Sequence, residues 1–234
     1  GNGRFCYLDP YRGAMLAVAE AARNVACAGG EPIGGTNNLN FGNPERPEIM
    51  WQLAEAVRGI GDACRALGIP ITGGNVSLYN ETEGRAIFPT PVLGVVGLLA
   101  DASKTVTRSF KHAGAAVVLL GDNPGELGGS EYLATLHGTV AGPPPALDLA
   151  REASLQQLIV SLIRAGMVES AHDCSEGGLA VTLSECSFDS GGIGVTADLA
   201  ASPGDRSFVS AEAANSKVGG WLEQWQVNAT LFGE

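Results

Sequence analysis

The chain has 234 residues, of which 45% are hydrophobic and 17% charged, and carries a formal net charge of −11. That balance excludes an intrinsically disordered segment and a duplex-DNA binder, which needs a basic footprint; the length suffices for one large domain or two ordinary ones. Five cysteines without a CxxC pair argue against a zinc site or a disulfide framework, and no apolar run of about 18 residues or signal-peptide pattern is present, so no membrane contact and a cytoplasmic setting are expected.

In chain order, residues 5–8 read as a short strand. Residues 14–28 carry Leu16, Ala19, Ala22 and Ala26 at helical spacing, with Gly29–Gly30 as a stop. Residues 32–41 read as strand and loop. Residues 47–67 form a strongly amphipathic helix through Met50, Leu53, Val57, Ile60 and Leu67, ended by Gly68. An extended segment over 69–79, a hairpin tip over 80–84 and a buried strand over 91–99 follow. The register changes over 100–111. Beyond it come a buried strand at 117–120, a Gly-rich loop, a helix at 149–165, a strand-like run at 167–172 and a helix at 179–188. Alternating strands and helices give an α/β or α+β class. The domain boundary is placed near residue 103, giving domains 1–103 and 104–234.

Two Gly/Asn-rich segments stand out, GGTNNLNFGNP at 34–44 and TGGNVSLYNE at 72–81. Glycine lets a backbone approach a ligand closely. Asparagine offers an uncharged oxygen suited to a hard cation and a donor suited to phosphate. Asn37, Asn38 and Asn40 also fit ordinary turn chemistry, and Gly73–Asn75 with Ser77 fit a bulged strand. The recurrence of a Gly/Asn element on the next strand favours a nucleotide and its metal. No Walker A pattern, nucleophile elbow or HExxH occurs. Two further segments are candidate phosphate loops. In GGSE, Gly128, Gly129 and Ser130 suit an anion nest or a helix N-cap. In HDCSEGG, Asp173, Ser175 and Glu176 suit metal, phosphate or, as the simpler reading, a helix cap. Cys174 and Cys186 read as buried small residues.

At these segments the chain resembles the phosphoribosylformylglycinamidine synthase (PurL) family of purine biosynthesis. The resemblance lies in LDPYRG, AVAEAARN, NLNFGNPE, MWQLAEAVRGIGDAC, TGGNVSLYNET, PTPVLGVVG, LGGSEYL and HDCSEGGLAVTLSE, and it covers nearly the whole chain. It corresponds to the second half of the synthase subunit. The implied fold is a PurM-like N-type domain, a mixed sheet with helices, followed by a PurM-like C-type domain. The implied reaction converts formylglycinamide ribonucleotide, ATP and glutamine-derived ammonia to the amidine, ADP and phosphate. ATP activates the amide oxygen as an iminophosphate and ammonia displaces phosphate. By the same resemblance Asn37 and Gly74 contact ATP, Asn75 is a Mg²⁺ ligand and Ser77 touches the substrate. The implied partners are a glutaminase subunit and a small PurS-type subunit.

The family commonly has Asp where this chain has Asn37, which removes a charge. Its catalytic histidine and main Mg²⁺ carboxylates belong to the first half, which this sequence does not contain, and both ends read as cuts through a longer polypeptide. The isolated chain is therefore expected to be inactive. A competing expectation is a non-catalytic, pseudo-symmetric half that holds an auxiliary nucleotide and supports assembly. Another member of the fold group, such as a thiamine-phosphate kinase or a selenophosphate synthetase, fits NLNFGNPE and TGGNVSLYNE poorly. The segments 69–79 and 91–99 are too apolar for a solvated sheet, so the sheet is expected to pair with a like domain, or in a fragment with a second copy as a homodimer.

Overall fold

The structure is a computed structural model that describes residues 1–121 and 125–195 and the backbone of 229–232. The chain divides into two compact units. The first comprises Gly1–Val25, Glu31–Leu98 and Glu126–Ala153, and the second Ala26–Gly30, Leu99–Gly125 and Ser154–Glu234.

The first unit opens with two helices, α1 (Gly3–Leu8) and α2 (Pro10–Cys27). The strand expected at 5–8 is therefore a helix. Two local contacts explain it: the Asn2 side chain accepts from the Arg4 and Phe5 amides, and Asp9 Oδ1 accepts from the Arg12 amide at 2.9 Å, starting the next helix beside Pro10. Helix α3 (Pro47–Leu67) has Pro47 at its start, Glu48 in its first turn and Arg65 in its last, all favourable to the helix dipole. Gly68 ends it at φ 68°, its N–H bonded to Cys64 O.

Strands β1 (Glu31–Asn40), β2 (Ile71–Ser77) and β5 (Thr90–Leu98) form a three-stranded sheet in the order β2-β1-β5. β1 runs parallel to β2 and antiparallel to β5. Between β2 and β5, β3 (Glu81–Thr82) and β4 (Arg85–Ala86) make the expected hairpin, with Glu83 and Gly84 both at positive φ as a two-residue turn requires.

Strand alternation sorts the sheet into two faces. Leu39 and Leu93 pack on one face with Met15 and Val18 of α2 and Ile49, Ala56 and Ile60 of α3. The other face is uncovered: Val92, Val96 and Leu98 are 45%, 65% and 59% exposed. The strand expected at 91–99 is thus present but buried on one side only. Helix α4 (Glu131–His137) and the first turn of α5 (Leu149–Arg164) complete the unit. There Arg23 makes a two-pronged ion pair with the buried Glu152, Nε to Oε1 at 2.9 Å and the second nitrogen to Oε2 at 3.2 Å.

The second unit is built on the rest of α5, whose Leu158, Ile159, Val160, Leu162 and Ile163 pack with Val106, Leu120 and Val168. Strand β6 (Val117–Leu120) pairs antiparallel with β7 (Ala229–Phe232), and Val118 of β6 is exposed rather than buried. Among the described residues the strand-like run at 167–172 makes only an isolated parallel bridge, Thr107 to Ser170. Helix α6 (Gly178–Ser187) follows that run.

Candidate functional site

The two Gly/Asn segments are neighbouring parallel strands. In register, Asn37 faces Gly74, Asn38 faces Asn75, and Asn40 faces Ser77. The paired positions lie toward the carboxyl ends of β1 and β2, where ligands of parallel sheets gather. Backbone pairing therefore brings four residues singled out in the sequence, Asn37, Gly74, Asn75 and Ser77, into one patch.

The alternation of the pleat divides that patch. Asn37 points to the helix side of the sheet with Leu39. A Cβ on Gly74 would lie 2.3 Å from Asn37 Oδ1, so the absence of a side chain at 74 is what seats the Asn37 amide. Asn75 points to the opposite, uncovered face, where its Nδ2 donates to Asn38 Oδ1 at 3.0 Å. Around it, Thr36 Oγ1 donates to Gly73 O at 3.0 Å and Asn40 Nδ2 to Thr90 O at 3.1 Å. The nucleotide candidate and the metal candidate thus sit on adjacent residue pairs but on opposite faces, a division that proximity in sequence conceals.

Ser77 is held by Asn80. The Asn80 side chain donates to Ser77 O at 2.9 Å and to Phe41 O at 3.1 Å, and Ser77 Oγ donates to Asn80 Oδ1 at 3.2 Å. Between them Tyr79 takes φ 59°, a strained choice for an aromatic residue. Asn38 and Asn80 are the supporting residues: both lie in the Gly/Asn segments that stand out in the sequence, but the sequence reading gave neither a role in the site. Strand register and the turn through Tyr79 show what each one holds.

The two candidate phosphate loops behave differently. In the GGSE turn, Gly129 N–H donates to Ala141 O at 2.9 Å, Ser130 N–H to Leu127 O at 3.1 Å, and Ser130 Oγ accepts from the Leu133 amide at 3.3 Å. Ser130 therefore caps α4. A Cβ on Gly128 would lie 1.8 Å from Pro143 O, so this glycine answers to packing.

The HDCSEGG loop departs from the simpler reading. Gly177, in the left-handed region, is the α6 N-cap, and no side chain caps it. Ser175 is exposed and offers its carbonyl to the Gly178 amide at 3.1 Å. Asp173 is 4% exposed. Its Oδ1 lies 3.1 Å from His172 Nδ1, whose Nε2 lies 2.9 Å from Glu185 Oε2, while Asp173 Oδ2 is buried without a hydrogen-bond partner among the described residues. Cys174, expected to be buried, is exposed, whereas Cys186 is buried and its thiol is pushed up to about 11 by burial and then by Cys174.

Among the described residues no group of three or more His, Cys, Asp or Glu side chains could hold a metal. A cation here would take its oxygen from the Asn75 amide and its remaining ligands from outside this cluster. One amide oxygen beside waters and phosphate is compatible with Mg²⁺, whose usual one or two carboxylates would come from outside this cluster. Among the described residues no helix is long and apolar enough to cross a membrane.

The chain is similar to the phosphoribosylformylglycinamidine synthase subunit PurL of Anaeromyxobacter sp. (strain Fw109-5), with 64% identity over 185 residues, 79% of this chain and 24% of that protein. It therefore spans about a quarter of the length of the curated relatives it matches. Among solved structures it is similar to Thermotoga maritima PurL complexed with ADP, at 25% identity and a TM-score of 0.54 over 82% of this chain and 27% of that one. It is likewise similar to T. maritima PurL complexed with FGAR, at 26% identity and a TM-score of 0.54 over 82% of this chain and 26% of that one. The family model of the AIR synthase related protein N-terminal domain matches residues 1–99, and that of the C-terminal domain matches residues 112–233. The PurM-like fold expected from the sequence is the fold found, and the chain belongs to the AIR synthase related protein family.

Proposed function

We propose that this chain is the second half of a phosphoribosylformylglycinamidine synthase subunit and contributes the Gly/Asn strand pair to an ATP-dependent ligase site. The observation that carries the reading is the register of β1 on β2, which sets Asn37 against Gly74, Asn38 against Asn75 and Asn40 against Ser77. In this reading Asn37 and Gly74 receive ATP from the helix side at the strand ends, Asn75 gives one oxygen to Mg²⁺ on the other side, and Ser77, held by Asn80, orients the substrate amide. ATP and Mg²⁺ supply the activation of that amide and the neutralisation of the transferring phosphoryl charge. The chain's own residues bind and orient.

The similarity to relatives named as a synthase subunit, and to a neighbour complexed with FGAR, supports the catalytic reading over a purely structural half. The substrate is then formylglycinamide ribonucleotide, and the partners are a glutaminase and a small PurS-type subunit in the cytoplasm. Residues 1–103 act as the N-type domain and 104–234 as the C-type domain. Asp173 and Ser175 are reserved for phosphate or metal in the second domain, while Gly128, Gly129 and Ser130 are assigned to capping and packing. The uncovered sheet face takes a like domain, or a second copy of this chain.

Calorimetric titration with ATP, with and without Mg²⁺, tests the site. Mg²⁺-dependent binding that is lost in Asn75→Ala supports it. Equal binding by wild type and Asn75→Ala, or no binding by a folded chain, overturns a metal–nucleotide site carried by these residues. The isolated chain is expected to form no amidine; product above background would show that it holds a complete site.

A further inference from the structure

The uncovered face of the sheet contains a side-chain contact that the roles above do not use. Asn75 Nδ2 donates to Asn38 Oδ1 at 3.0 Å. A primary amide has two unlike ends: the carbonyl oxygen attracts a cation, and the NH₂ repels it. Whichever end is hydrogen-bonded to the protein decides which end is presented. With Nδ2 engaged by Asn38, Oδ1 is the end of Asn75 left for an incoming ion. Asn38 is itself well placed for this, because Asn40 Nδ2 bridges the Asn38 and Thr90 carbonyls at 3.1 Å each and pins the strand beneath it.

We propose that Asn38 is a positioning residue for the cation: it fixes the rotation of the Asn75 amide so that oxygen, not nitrogen, faces the metal. The proposal rests on the reading of Asn75 as a metal ligand. The alternative role for the same hydrogen bond is to knit β1 to β2. The backbone register already joins these strands over six residue pairs, which leaves the side-chain pair little to add there.

The test uses the full chain and Mn²⁺ as the probe ion, titrated in the presence of ATP and followed by electron paramagnetic resonance, with a thermal melt on every variant. Asn38→Ala is expected to weaken Mn²⁺ binding about three- to tenfold, the worth of one orienting hydrogen bond. Asn38→Asp keeps an acceptor for Asn75 Nδ2 and is expected to bind at least as tightly as wild type. Asn75→Asp presents an oxygen whichever way it turns, so adding Asn38→Ala to it should cost nothing further. The proposal falls if Asn75→Ala abolishes binding while Asn38→Ala binds like wild type; the metal reading of Asn75 then survives. It also falls if Asn38→Ala weakens binding equally with and without Asn75→Asp, which is the signature of a strand-knitting contact. If wild type binds no Mn²⁺, or Asn75→Ala binds as well as wild type, the metal reading itself fails and the positioning role fails with it.

Discussion

Gly74 and Asn37 show how a single missing side chain places another. The Asn37 amide occupies the space a Cβ at 74 would need. Gly74→Ala is expected to turn Asn37 out of its seat and to weaken ATP binding about tenfold or more while leaving the melting temperature within a few degrees, because β2 is an exposed edge strand; equal titration curves would remove Asn37 from the site. A second residue-scale case is Tyr11, whose hydroxyl donates to Asp62 Oδ2 at 2.7 Å. That bond, and then Arg65, hold the Asp62 carboxyl below its usual range, while the same bond raises the Tyr11 phenol. A depressed carboxyl stabilises the fold above its unfolded value and loses that contribution as pH falls through the folded one. The stability difference between wild type and Tyr11→Phe is therefore expected at pH 7 and should shrink in acid melts; a difference that grows in acid would be the wrong sign. The thiols form a third case. Burial pushes Cys6 up to about 12, so iodoacetamide at pH 8 should label exposed Cys174 well before Cys6 or Cys186, as read by peptide mass spectrometry.

At the scale of elements, α3 was the most legible part of the chain. Its apolar spacing, Pro47 at one end and Gly68 at the other all speak at once, and the observed helix has those bounds. Residues 5–8 are illegible as a helix because a six-residue segment shows too little periodicity, and the helix is held by the Asn2 cap and by Gly13 of α2 against the Cys6 backbone, where a Cβ would lie 2.5 Å from Cys6 N. The close crossing of α2 and α3 was equally hidden. A Cβ on Gly59 would lie 2.2 Å from Tyr11 O, and this contact is backbone, which cannot move aside. Gly59→Ala is expected to cost about 1–3 kcal/mol by overpacking, despite alanine's better helix propensity. Urea unfolding measures it, and a stabilised variant would show that the helices do not cross so closely. The run at 167–172 reads as a strand from its composition, yet among the described residues it meets a strand partner only at Ser170. A strand exists only where another backbone runs beside it.

For the whole molecule, the uncovered sheet face is the feature with the largest consequence. Val92, Val96 and Leu98 alternate along an edge strand and point to one side, as a surface meant to be covered does. Concentration-dependent self-association in sedimentation velocity is expected, and Val96→Lys should abolish it; a monomer at all concentrations would leave this face for another domain alone. The sequence by itself determined the family, the main helices and sheet strands, and the identity of the Gly/Asn segments. Those properties are written in local periodicity, terminal residues and short motifs, which act over a few residues. The tertiary structure alone decided that Asn37 and Asn75 lie on opposite faces, that Asn38 and Asn80 hold the candidate ligands, and that Ser130 caps a helix while Asp173 is buried against His172. Such facts depend on strand register and on pairings between residues distant in sequence, such as Asn38 with Asn75, 37 positions apart. A one-residue slip of that register would change every one of the β1–β2 pairings.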